Sequence, residues 1–489
     1  MALRARLVAP PPQPKTVWPF HTVKSGSIPV SAIFEGDRRM EAETYLSTGY
    51  GIRTAIESKS NGWKPFAELA RAWMPGRLKG IQVSREYGTP FLAATQVFDV
   101  RPVPRKWLSL DRTDDAANRF VRQGMILVTC SGSVGRPTIA YVPHEQILIS
   151  HDLLRIEPID PRDRGWIYAY LHSRQTRAMA IGAHYGHIIK HLETSHIDAL
   201  PIPTVDDDTA ADFARRVERI LKLRNEGHRL TLDAESRFEK AIGPISIKNW
   251  GEQGFTVRAS NAFARGRRRM DATIHNPGVS TIRDHLARHG QGFISVTAAG
   301  YEIWLPTRFR RVPAEDGVPL VESASLTEIN PDIAKRIADN DFGDPYQGRV
   351  KSGWVLMARS GQAYGIIGTA VLAESALEDK VVSDDVMRIK PGTNAVLRPG
   401  YLVTALSHPL LGRPLVKALT YGSSIPHIDV SDIGAHEVVR LGDAEESAIA
   451  ELAQASAKSR AAADLLEREM ATDATSIIDR FISQKAANA

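Results

Sequence analysis

The chain has 489 residues, 43% hydrophobic and 24% charged, which excludes a disordered tail protein and exceeds what one hydrophobic core can organise. No apolar run approaches the roughly 20 residues a membrane helix needs, and a single cysteine excludes a disulfide framework and suits the cytoplasm. The net charge of +6 and pI near 9.2 fit a polyanionic partner without requiring one.

In chain order, residues 1–36 read as a flexible arm, because "MALRARLVAPPPQPK" offers too short an apolar patch for a secretory segment. Residues 37–205 read as a first α/β body. Arg77, Lys79, Arg85, Arg101, Arg105 and Lys106 cluster in its lead-in. The apolar strand "MILVT" then runs into the turn Ser131–Gly135, with Cys130 at the junction, and "ILIS" follows as another strand. Residues 206–243 read as one long helix, capped by Gly243-Pro244. Its apolar positions Phe213, Val217, Ile220, Leu230, Ala234, Phe238 and Ala241 form a narrow stripe, and Gly227 marks a bend or a close crossing. Residues 244–441 read as a second body with the strands "WVLMA" and "VVSDDVMRI" and basic runs at Arg265–Arg269 and at Arg308, Arg310 and Arg311. Residues 442–489 hold a second long helix and a tail, with the stripe Ile449, Leu452, Ser456, Ser459, Ala463, Leu466, Met470, Ile477 and Phe481.

The two halves match each other. "GMILVTCSGSVG" at Gly124 recurs as "GWVLMARSGQAYG" at Gly353, and "GTPFLAATQV" as "GVPLVESASL", both 229 positions on. "ISHDLLRIEP" matches "VSDDVMRIKP", and "YGHIIKHLETSHIDALPIP" matches "YGSSIPHIDVSDIGAHEVV". The expected fold is therefore α+β: a tandem duplication of two α/β domains, each followed by a long helix. Each helix needs a surface for its stripe. The other helix, antiparallel, is one choice, and its own domain is the other.

Catalytic signatures fail one by one. "SGSVGRPT" lacks the lysine of a phosphate-binding loop and has Pro137 where a helix should begin. Of the turn serines, only Ser131 has a hydroxyl counterpart, Ser360, while Cys130 becomes Arg359 and Ser133 becomes Gln362. His184, His187, His191 and His196 tempt a zinc reading, yet only His191 keeps a histidine, His427, in the second copy. No adenosyl-cofactor loop and no Asn/Asp-Pro-Pro-aromatic motif occurs. Asp332 with Glu378 to Lys380 loosely imitates the acid pair of a Mg²⁺-dependent DNA nuclease, which stays open as an alternative, as does a coiled-coil interaction scaffold without sequence readout.

In combination, the paired turn, "SHDLLRIEP/SDDVMRIKP" and "YGHIIKHL/YGSSIPHI" stretches resemble the specificity subunit of type I restriction-modification systems, or of a related methylation-based phage-defence system. The resemblance implies two target-recognition domains, each reading half of a split DNA site. It implies two antiparallel helices that form a coiled coil, measure the spacer and dock two copies of a DNA adenine methyltransferase subunit. A restriction/translocase subunit joins in some systems. It also implies no catalysis and no cofactor in this chain, S-adenosylmethionine belonging to the partner methyltransferase, and a place at the bacterial nucleoid. The DNA-facing candidates in the first half are Arg77, Lys79, Arg85, Gln96, Arg105, Lys106, Ser131, Ser133, Arg136, Tyr185, His187 and Lys190. Those in the second half are Arg308, Arg310, Arg311, Arg359, Ser360, Gln362, Tyr364, Tyr421, Ser423, Ser424 and His427. The partner-docking candidates are Phe213, Val217, Ile220, Leu230, Phe238, Leu452, Leu466, Met470, Ile477 and Phe481.

Overall fold

The computed structural model describes residues 25–34, 40–183, 191–247, 254–260, 269–339, 348–361, 365–422 and 424–484. Sheets and helices are mixed throughout, and the two halves share one plan. In the first half, strands β1 (Ala70–Trp73), β2 (Ile126–Thr129), β3 (Pro137–Ile139) and β4 (Leu153–Pro158) form an antiparallel sheet in the order β1-β4-β2-β3. The second half repeats that order with β5 (Tyr301–Trp304), β6 (Val355–Ala358), β7 (Ala370–Leu372) and β8 (Val386–Pro391), as β5-β8-β6-β7. Register is shared as well: Leu127 faces Arg155, and Leu356 faces Arg388. The central strands β2 and β6 are buried along their whole length, which is why they read as unbroken apolar runs rather than alternating ones.

A single strand was expected from "VVSDDVMRI". The structure breaks it into Val381–Val382, which pairs parallel with Leu320 and Val321, and β8. Ser383 makes the break: its carbonyl accepts from the Val386 N–H and its own N–H donates to Val321. The turn projects Asp384 and Asp385 away from the sheet core.

The long helices are α2 (Asp207–Ile242) and α4 (Asp443–Ser483), about 54 and 61 Å at ~1.5 Å per residue. Asp206 caps the first by accepting from the Thr209 N–H at 2.7 Å, and Gly243 ends it at φ +82°. They run antiparallel: Arg216 pairs with Asp473, Arg224 with Glu467 at 2.7 Å, and Arg237 with Glu445 at 2.6 Å. Gly227 sits at the crossing, where a Cβ would come within 2.9 Å of the Arg460 side chain.

The apolar stripes do more than face each other. Phe213, Val217 and Ile220 pack into the first body, with Trp166 5.4 Å from Phe213. Phe238 packs into the second body against Tyr401 and His408. Met470 belongs to the first core, with Leu466, Ile477 and Phe481 at its margin, while Leu452 borders the second. Both ends of each helix are thus claimed by bodies of this same chain, so these residues serve internal packing. The partner-docking role expected of Phe213, Val217, Ile220, Leu230 and Phe238 meets a physical obstacle, because all five are buried here. Within the first core the helix pair carries a buried ion pair: Arg224 and Glu467 are 3% and 1% exposed.

Helix α1 (Arg164–His172) crosses α2, and α3 (Pro399–Ser407) crosses α4. Each crossing is made by a glycine. A Cβ on Gly165 would lie 2.2 Å from the Ala214 nitrogen, and one on Gly400 would lie 2.3 Å from the Ala450 carbonyl oxygen. The halves also touch directly through matching loops. Asp99 and Glu328 form an antiparallel bridge, flanked by hydrogen bonds from Val100 to Thr327 and from Ile329 to Phe98, both at 2.7 Å. Among the described residues, no helix is long and apolar enough to cross a membrane.

Candidate nucleic-acid interface

Strand β2 ends in a turn held by one threonine. The Thr129 hydroxyl donates to the Ser133 carbonyl and accepts from the Arg136 N–H at 2.9 Å, while the Thr129 carbonyl accepts from the Gly135 N–H. Gly132 and Gly135 take φ of +71° and +77°, where L side chains are strained. Cys130 is 4% exposed, and burial, followed by the neighbouring Asp152 charge, pushes its thiol up to about 12. It therefore stays protonated and packs as a small apolar group beside the Met74 sulfur.

Each turn is stitched to the loop that follows the helices. Ser131 bridges His191 and donates its hydroxyl to Asp152 at 3.0 Å. Ser360 bridges His427 and donates to Asp385. Backbone bonds repeat the pattern: Leu192 donates to Cys130 and Ile428 to Arg359, while Cys130 and Arg359 donate to Asp152 and Asp385. Beneath both carboxylates lies a buried arginine. Arg155 donates to the carbonyls of Ser150 and Ile149, each at 2.9 Å, and Arg388 donates to those of Ser383 at 2.8 Å and Val382 at 2.6 Å. These two arginines and two aspartates were not among the expected site residues, although "SHDLLRIEP" and "SDDVMRIKP" carried them at equal positions.

In the second half, this assembly opens onto a cleft of about 640 Å³. Arg308 and Arg311, just after β5, line it together with Arg359, His427, Asp384 and Asp385. Arg311 is engaged by Asp384 and by the Ser383 hydroxyl at 3.1 Å. Arg308 and Arg310 are exposed and make no ion pair among the described residues. The Arg359 guanidinium approaches the Tyr421 hydroxyl, and its Nε is buried without a hydrogen bond. Tyr421 donates to Asp429 at 2.8 Å, which, with burial, raises its hydroxyl above the usual range. Ser424 is exposed at the rim of the same loop.

The structure thus brings Arg308, Arg311, Arg359, Ser360, Tyr421 and His427 together. In the first half, Arg77, Lys79, Arg85, Arg105, Lys106 and Ser133 are exposed, with Arg85 over the Trp107 ring at 5.7 Å. Two candidates are placed elsewhere. Gln96 is 8% exposed, its amide spanning Ala93 and Val103, because the tight helical turn after Ala93 needs that acceptor. Arg136 lies over Phe98 at 4.0 Å and pairs with Glu328 at 2.7 Å, so it joins the two halves instead of facing outward. Tyr185, His187, Lys190, Gln362, Tyr364 and Ser423 lie outside the described residues, as do His184 and Arg265–Arg268. His196 accepts from the Glu193 N–H, and among the described residues no three His, Cys, Asp or Glu side chains are grouped to hold a metal. The acids and lysine of the nuclease-like pattern are engaged separately: Asp332 pairs with Arg177 at 2.6 Å, and Lys380 donates to the Ala376 carbonyl.

No family model matches the chain, and no curated protein matches it. Among solved structures, it is similar to the S subunit of a type I restriction-modification system from M. genitalium, at 13% identity over 86% of this chain and 94% of that one, with a TM-score of 0.27. It is similar to the HsdS subunit from Thermoanaerobacter tengcongensis at 12% identity over 87% and 97%, with a TM-score of 0.25. A third similar chain comes from a study of assembly and conformational transition of the type I R-M system, at 12% identity over 87% and 98%, with a TM-score of 0.26.

Proposed function

We propose that this chain is a non-catalytic DNA sequence-specificity subunit of a modification complex. On this reading it is a tandem duplication of two recognition domains, residues 37–205 and 244–441, joined by a coiled coil of the 206–243 and 442–489 helices. The observation that carries it is the turn–loop–carboxylate assembly built twice, at opposite ends of an antiparallel helix pair, with different side chains at its mouth. A rigid scaffold under variable polar side chains is what base readout needs, and exposed arginines and lysines around it suit phosphate contacts. The partners are double-stranded DNA, two copies of an adenine methyltransferase subunit carrying S-adenosylmethionine, and in a restricting system a translocase subunit. Since the apolar faces of both helices are occupied internally, the methyltransferase subunits dock on their outer polar faces.

The test is a methylome of cells carrying the neighbouring methyltransferase, with and without this chain. The expected result is new adenine methylation at one split motif with a fixed spacer, the whole spanning at most about 18 base pairs. No gain of a split motif overturns the proposal.

A further inference from the structure

The two mouths can be compared position by position, because β1 and β5 share their register. Trp73 faces Arg155, and Trp304 faces Arg388. Counting on from them, Arg77 stands where Arg308 stands and Gly80 where Arg311 stands. Likewise, Asp152 matches Asp385, His151 matches Asp384 and Cys130 matches Arg359. One set is kept in both halves: the exposed arginine after the first strand, the serine–aspartate bond and the bridging histidine. Another set changes: Cys130 to Arg359, and His151 to Asp384.

Charge sorts these sets by depth. In the second cleft, the carboxylates of Asp384 and Asp385 line the same space as Arg359, and Asp384 already engages Arg311, so a phosphate is disfavoured beside them. Arg308 is exposed and makes no ion pair among the described residues, so its charge is available to a phosphate. The deeper cation is Arg359, half-buried, with one nitrogen carrying no hydrogen bond. A ligand entering this cleft must therefore be neutral at its leading edge and rich in acceptors toward Arg359. In DNA, the guanine major-groove edge has that form, offering O6 and N7 to one guanidinium. Resting on the functional reading above, we propose that Arg359 reads a guanine in the second half-site, while Arg308 and its counterpart Arg77 hold phosphates. In the first half, the equivalent floor is the buried Cys130 thiol beside Met74, which has no such donor fork.

The experiment is enrichment of random duplexes by the full chain in complex with its methyltransferase, for the unsubstituted protein, Arg359→Ala, Arg359→Lys and Arg308→Ala. The unsubstituted chain is expected to enrich a split motif with an invariant guanine in one half. Arg359→Ala and Arg359→Lys are expected to lose the preference at that guanine alone, discrimination there falling roughly 5- to 150-fold. The lysine variant keeps the charge but lacks the fork, so a loss shared by both variants is not a folding defect. Arg308→Ala is expected to weaken all sequences alike and to lower the salt slope by about 1. A uniform loss, or no loss at any single position, in the Arg359 variants overturns the inference and leaves the functional reading standing. An unsubstituted chain that enriches no split motif overturns both.

Discussion

Arg388 and Arg155 show what a buried charge does at residue scale. Each closes the space where two strands part, donating to the buried carbonyls there. Burial lowers the Arg155 guanidinium to about 10, still far above neutral, so it stays charged. Arg388→Met is expected to remove the guanidinium from the Ser383, Val386 and Val382 carbonyls and to cost about 3 kcal/mol or more, measured by urea denaturation of the full chain. Gly400→Ala drives a methyl into the Ala450 backbone, and a loss of about 1–3 kcal/mol in the same assay is expected. The repeated arginine was plain in the sequence. Its role was not, since a charged residue inside a strand ordinarily marks the solvent face. Only the folding of the strand ends over it makes it a core group.

At the scale of elements, the helix pair depends on its ionic centre. Arg224 and Glu467 are buried together, Tyr168 also donates to Glu467, and the Arg224 charge, with His172 and the Tyr168 hydroxyl, holds that carboxyl below its usual range. Glu467→Gln strands a buried guanidinium, and a loss of about 3–5 kcal/mol is expected. The paired change Arg224→Met with Glu467→Leu is expected to recover most of it, as a double-mutant cycle in urea will read. Both helices, nearly to the residue, were legible as proline-free stretches, the first ended by Gly243-Pro244. Which surface their stripes meet was not, because a spacing of three and four residues serves a coiled-coil seam and a domain face equally. The domain-facing Phe213 and Phe238 resolve that ambiguity.

For the whole molecule, the seam between the halves sets a pH dependence. Burial, with the opposing Glu328 charge, raises Asp99 from 3.8 to about 7 against the pull of Arg105 and Arg413. A carboxyl that binds its proton more tightly when folded contributes most at low pH, and that contribution is lost as pH rises through about 7. Thermal stability is therefore expected to fall between about pH 4 and pH 7, and Asp99→Asn to flatten that fall. The seam was invisible in the sequence, since nothing in "QVFDV" or "SLTEI" announces that the two loops meet.

The seam has one more property. Asp99 meets Glu328, its counterpart one repeat of 229 positions on. Counterparts touch one another where a half-turn rotation axis passes between them, so this antiparallel contact marks a pseudo-twofold axis at the seam. Under that rotation, the two mouths point in opposite senses along any duplex lying across them. On the proposed reading, they then take their bases from opposite strands, and the recognised site has the layout of an imperfect palindrome whose arms have drifted to different letters.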